Sequence, residues 1–360
     1  MNLYDAFKAM PDNRWKYYYD TRPLNFDDLN EEEAYKFIRG NYTLGAKDKV
    51  FDIGFHDRFK EKGKHRHTVA LYFLGCYLSA ILSDTFRNHL EQFIDNIDGN
   101  DFQYIWYLSC LYHDTASILE ESEYNRSSPR NLSFYLGKYN ISHNVYTHIW
   151  KEAKPYTYSE ELVKNYFTYR VEYGHRIDHG IIAGYLIYDR LRKNYDANWA
   201  EFKLKRPNDG KYEDFSYKNL RWNIQHHSYF AYVANTIIAH NIWYSEDTPN
   251  SIQTYRQYGL DPLIYNKSNR INLKKDPLVF FLGFLDSIEP VKFFNTVDAK
   301  IVWKAIEIIY DSNTRKLHIT TDGSLLNTNV WFNKIEGMSN WLNVEVESAG
   351  TNGRIITINI

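Results

Sequence analysis

An imidazole and a carboxylate stand side by side at His113-Asp114, where the apolar run Tyr107-Leu-Ser-Cys-Leu-Tyr112 ends. An apolar helix lies against a core, so a charge emerging from it must be paired or must hold a metal ion. Divalent cations accept both donor types. Successive helix positions point about 100° apart, so the carboxylate can bridge two ions while the imidazole binds one.

Four further stretches carry a His or Asp at an apolar helical run. His67 opens the run Thr68 to Gly75, and His179 precedes Gly180-Ile-Ile-Ala-Gly184. Ala234-Asn-Thr-Ile-Ile-Ala239 ends at His240, and Phe280-Phe-Leu-Gly-Phe-Leu285 ends at Asp286. The order along the chain is His, His-Asp, His, His, Asp. At the first position either His65 or His67 can serve, and His67 is preferred because it abuts the apolar run. His240 reads either as a ligand or as a helical surface residue, and that choice decides between one ion and two.

This ordered set resembles the HD-domain superfamily of metal-dependent phosphohydrolases, over roughly residues 67–286. The resemblance implies an HD-type helical bundle in which His67, His113, Asp114 and Asp286 hold one ion, while Asp114 bridges to a second held by His179 and His240. The branch that hydrolyses cyclic dinucleotides usually follows its His-Asp with Gly-Lys and carries a Gly-Tyr-Pro signature. Here Thr115-Ala-Ser117 follows and no Gly-Tyr-Pro occurs, which sets the chain apart from that branch.

Two divalent cations against two carboxylates leave such a centre electropositive. It attracts phosphate and lowers the pKa of a water between the ions, which supplies a nucleophile for in-line attack. Mixed imidazole and carboxylate donors suit Mn, Fe, Co, Ni, Zn or Mg. Candidate phosphate contacts are Lys64 and Arg66 in the basic run before His67, Arg126 and Arg130 in a polar loop-like stretch, and Arg176. Glu120 and Glu121, the nearest acids after His-Asp, are candidates for proton transfer beside the catalytic Asp114. His175 and His179 are four apart and share a face if the segment is helical. The Glu of a His-Glu-x-x-His zinc protease is absent from His175-Arg-Ile-Asp-His179, so His175 is assigned beside the substrate and His179 to the metal.

The expected activity is hydrolysis of a nucleotide or another small phosphate ester. An HD-type nuclease or cyclic-nucleotide phosphodiesterase is the neighbouring alternative, and a nucleotide-binding regulatory module without turnover is the alternative of another class. A formal net charge of -2 disfavours a long nucleic-acid track.

The rest of the chain must position these groups. With 44% hydrophobic and 24% charged residues, 360 residues suffice for one large domain with an appendage. The reading is a mainly α chain: an N-terminal helical extension over residues 1–45, the HD-type domain over 46–295, and a small α+β appendage over 296–360. Thr68 to Leu82, apolar on nearly all sides, is expected at the centre of the bundle. Residues 120–160 read as a loop, and residues 189–225 as a polar insertion between two ligand helices. The helix carrying His179 is expected to start near Tyr173. Residues 302–310 and 316–321 read as two strands, residues 328–342 as a helix, and residues 344–348 and 354–360 as a closing strand pair. Cys76 and Cys110, both in apolar stretches, read as reduced core thiols in a cytoplasmic protein. No signal peptide is expected from residues 1–10, and no run is long enough to span a membrane.

Overall fold

A computed structural model describes residues 1–17, 22–42, 63–82, 86, 89–90, 99–117, 119, 131–147, 157–218, 220–242, 244–245, 249–266, 268–325 and 327–359. The chain is mostly helical, with a small antiparallel sheet at its C-terminal end. The first helices are α1 (Leu3–Ala9), α2 (Glu31–Tyr42), α3 (Lys64–Ile81), α4 (Gly99–Tyr112), α5 (Leu132–Lys138) and α6 (Glu160–Glu172). The long α7 (His179–Lys205) is followed by a hairpin of β1 (Asp214–Tyr217) and β2 (Leu220–Asn223), then by α8 (Gln225–Ala239). A two-residue parallel pairing of β3 (Tyr244–Ser245) with β4 (Ile264–Tyr265) brackets α9 (Pro249–Gln257), and α10 (Pro277–Ile288) follows. The C-terminal unit comprises α11 (Ala299–Lys304), β5 (Ile306–Asp311), β6 (Lys316–Thr321), α12 (Thr328–Gly337), β7 (Val344–Ser348) and β8 (Gly353–Ile358). Its sheet has the order β5-β6-β8-β7, antiparallel throughout.

α3 is the central helix that its composition demands. Val69 through Leu74 are all at most 1% exposed, and the ring contacts of Phe73 reach back to Phe7, Trp15 and Phe37 of the N-terminal segment. One continuous core runs from Leu3 to Ile358, so the N-terminal helices and the C-terminal unit share it. Cys76 and Cys110 are buried free thiols. No described helix is long and apolar enough to cross a membrane.

Two glycines set the approach of α7 to α8. A Cβ at Gly180 would lie 2.9 Å from the Ile237 carbonyl oxygen, and one at Gly184 would lie 2.7 Å from that of Ala234. One turn apart on the same helix face, they let the two backbones meet and bring the ends bearing His179 and His240 together.

Several expectations are corrected. The helix carrying His179 begins at His179 itself: Asp178 caps it by accepting from the Ile181 amide at 2.9 Å. The preceding residues turn through Gly174 and a left-handed His175 at φ 54°. His175 and His179 therefore do not share a helix face, and both His175 and Arg176 are exposed. The polar stretch after residue 189 is helical as far as Lys205, because buried Leu191, Tyr195 and Phe202 sustain a core-facing stripe within it. Leu132–Lys138 is a short helix inside the expected loop, capped by Asn131. Residues 302–304 belong to a helix, not a strand, since Asp298 caps Ala299–Lys304 and extended backbone starts only at Ile306.

Candidate metal centre

Six side chains converge at one end of the helices. His67 lies in the first turn of α3, and His113 and Asp114 form the turn that ends α4. His179 opens α7, His240 caps the end of α8, and Asp286 lies in the last turn of α10. They form two adjacent trios that could each hold a metal ion, His67 with His113 and Asp286, and Asp114 with His179 and His240.

Within the first trio, His67 Nε2 is 3.3 Å from both His113 Nε2 and Asp286 Oδ1. His113 Nε2 is 3.8 Å from Asp286 Oδ1. Asp114, a member of the second trio, also faces the first: its Oδ2 is 3.5 Å from His113 Nε2 and 3.8 Å from His67 Nε2, while its Oδ1 is 3.3 Å from His179 Nε2. The His240 ring stands 5.4 Å, centroid to centroid, from both His113 and His179. Each carboxylate also meets an ammonium group, Lys64 at 2.6 Å from Asp114 and Lys292 at 2.5 Å from Asp286.

Three of the histidines are held from behind. His113 Nδ1 donates to the Cys110 carbonyl at 2.8 Å and His240 Nδ1 to the Ile237 carbonyl at 2.6 Å. His67 Nδ1 donates to Glu289 Oε2 at 2.7 Å, and Glu289 is fully buried. Glu289 is in turn fixed by the backbone amides of Val291 and Lys292, at 2.6 and 3.2 Å. Binding Nδ1 in this way leaves the Nε2 lone pair facing the shared space, which is how proteins orient metal-binding imidazoles. At His179 the Asn241 amide contacts the ring, 2.7 Å from Nε2.

Burial keeps two of these rings neutral. It lowers the pKa of His113 to about 4 against the pull of Asp114 and Asp286, and that of His240 to about 4 with help from His179 and His113. For His67 burial acts downward, but the hydrogen bonds with Asp286 and Glu289 outweigh it and raise the pKa. Burial pushes the Asp114 carboxyl up, yet His113, Lys64 and His179 hold it well below the carboxylate range. Lys292 and His67 do the same for Asp286. The centre therefore offers neutral imidazoles at His113 and His240 and ionised carboxylates at Asp114 and Asp286, the donor states that a divalent cation requires.

The structure thus brings together His67, His113, Asp114, His179, His240 and Asp286, with Lys64 beside Asp114. Arg66 points elsewhere: its guanidinium donates to the Val297 carbonyl at 3.1 Å and to that of Asn295, tying the start of α3 to the turn after α10. His65 is buried behind the site, 3.4 Å from Glu31. Glu120, Glu121, Arg126 and Arg130 lie outside the described residues.

Sequence reasoning missed Glu289, Asn241, Lys292 and Glu31. Glu31, on an N-terminal helix that showed no chemistry, accepts from the His65 and Arg66 amides at 3.2 and 3.1 Å and so caps α3. The signal for Glu289 was a carboxylate three residues after Asp286 at the end of an apolar helix. Replacing it by Gln keeps its shape and removes its charge, and is expected to weaken one of two metal-binding events by about 10- to 100-fold. Calorimetric titration of the variant with Mn would show this as one weakened site beside one unchanged site.

No family model, curated protein or solved structure matches the chain.

Proposed function

We propose that this chain is a metal-dependent phosphohydrolase of the HD type, acting on a nucleotide or another small phosphate ester. The observation that carries the reading is the shared carboxylate: Asp114 presents one oxygen to each trio, at 3.5 Å from His113 Nε2 and 3.3 Å from His179 Nε2. The donor set fits two divalent cations, with His67, His113 and Asp286 around one, His179 and His240 around the other, and Asp114 between them. When bound, such ions supply a Lewis acid for phosphoryl oxygens and a water activated at neutral pH.

The chain's own residues then do the rest. Glu289 and the Cys110 and Ile237 carbonyls fix the imidazoles, so the donors need no reorganisation when a cation binds. Lys64, at the start of α3, is placed to meet a phosphate oxygen, because its ammonium already stands at the edge of the centre. Burial excludes water from behind the histidines, which strengthens each electrostatic contact in front of them.

The test is a panel of phosphate esters, mononucleotides and aryl phosphates among them, incubated with protein and Mn, Fe, Co, Ni, Zn or Mg. Release of phosphate or an alcohol that requires one of these cations and stops with a chelator is the expected result. Tight metal binding without turnover of any ester would overturn it in favour of a regulatory module.

A further inference from the structure

The two carboxylates of the centre are flanked by lysines from separate elements, and a third lysine comes from the C-terminal unit. α12 docks against the end of α10. Trp331, fully buried, donates its indole N–H to the Ile288 carbonyl at 3.1 Å and packs on Phe294 with ring centroids 6.2 Å apart. Trp341, just beyond α12, lies so close to α10 that a Cβ at Gly283 would be 2.3 Å from its ring. Lys334 is one turn after Trp331 and so on the same face of α12, the face turned to the segment bearing Asp286, Glu289 and Lys292.

Lys334 is half-buried, and it has no ion-pair partner among the described residues. Burial lowers its pKa; Asp286 acts upward on it and Lys292 downward, so its ammonium lies within electrostatic reach of both. A cation kept partly from water and left unpaired beside another cation is unfavourable unless an anion joins them.

We infer that Lys64, Lys292 and Lys334 form a three-sided cradle for a dianionic phosphate at the metal-facing edge of the centre, its third side supplied by the C-terminal α+β unit. The inference rests on the phosphohydrolase reading and narrows it. Three ammonium groups beside a site that also binds divalent cations suit a terminal phosphate bearing two charges, as in a phosphomonoester. A phosphodiester carries one charge and presents fewer free oxygens to such a cradle. The C-terminal unit then serves in substrate binding as well as in stabilising the fold.

The experiment is equilibrium binding of inorganic phosphate and of dimethyl phosphate, by calorimetry, to the full chain as wild type, Lys334→Met and Lys334→Arg. Each is measured with saturating Mn and again after chelation, and metal content is determined on the same samples. Lys334→Met is expected to weaken phosphate binding by about tenfold or more, to change dimethyl phosphate binding by less than about threefold, and to leave metal content unchanged. Lys334→Arg is expected to restore most of the phosphate affinity. Equal phosphate affinity in wild type and Lys334→Met overturns the cradle, as does an equal loss for both probes. Metal content scores the phosphohydrolase reading separately: if the wild type holds no metal, that reading fails, and the chelated samples still decide whether Lys334 binds phosphate.

Discussion

Asp114→Ala is expected to lower metal-dependent hydrolysis of the best phosphate ester by about a thousandfold while leaving the helical fold in place. Both oxygens of Asp114 are engaged, Oδ1 toward His179 and Oδ2 toward His113, His67 and Lys64. Truncation removes the carboxylate of the trio with His179 and His240, and it takes from the other trio a second carboxylate oxygen, 3.5 Å from His113 Nε2. It also removes the carboxylate that stands 2.6 Å from the Lys64 ammonium. Initial rates at saturating metal, together with far-ultraviolet circular dichroism, check the result. A rate within about tenfold of wild type would mean that the chemistry lies elsewhere.

The second large effect is acid sensitivity of the chelated protein. His113 and His240 have folded-state pKa values lowered to about 4 from the ordinary 6.5. Below 6.5 the unfolded chain takes up a proton at each ring and the folded chain does not, so stability falls as the pH drops from 6.5 to about 4. Each ring contributes a loss on the order of 3 kcal/mol over that window. His67, whose pKa is raised, acts in a different window: its contribution is present below 6.5 and lost as the pH rises through its higher folded value, so it does not offset the other two. Asp114 and Asp286, both lowered, add a further loss below about 4. Urea unfolding at pH 6.5 and pH 4 should therefore differ by on the order of 5 kcal/mol, and a His240→Asn variant should lose about half of that difference. A wild type equally stable at both pH values would contradict the buried, neutral state of these rings.

The composition of the centre was legible because each donor interrupts or ends an apolar run, and a polar group in that position needs a reason. His67, His113, Asp114, His179, His240 and Asp286 all carry that local signature, and the helices bring all six together in two adjacent groups. What surrounds them was not legible, because those contacts are non-local. Glu289 reaches His67 across 222 positions and Arg66 reaches Asn295 across 229, with nothing in either local pattern to pair them. Glu31 is one of three consecutive glutamates, and only tertiary packing turns it onto the start of α3. The spacing of His175 and His179 was misleading in the opposite sense. It fits a helix face, but Gly174 and the capping Asp178 favour a turn, and local backbone chemistry prevailed over periodicity. In the C-terminal unit the strands from Ile306 onward follow their alternation, whereas Val302 and Trp303, strand-like by type, fold as a helix because Asp298 caps it and both side chains find the core.

The most direct test of a two-ion centre built on Asp114 is elemental analysis of metal per chain, on wild type and Asp114→Ala purified without chelator and then soaked with Mn, Fe, Co, Ni or Zn. The arrangement predicts about two ions per wild-type chain, falling to near none in the variant. No bound metal in either protein after soaking, or an unchanged content in the variant, would contradict it.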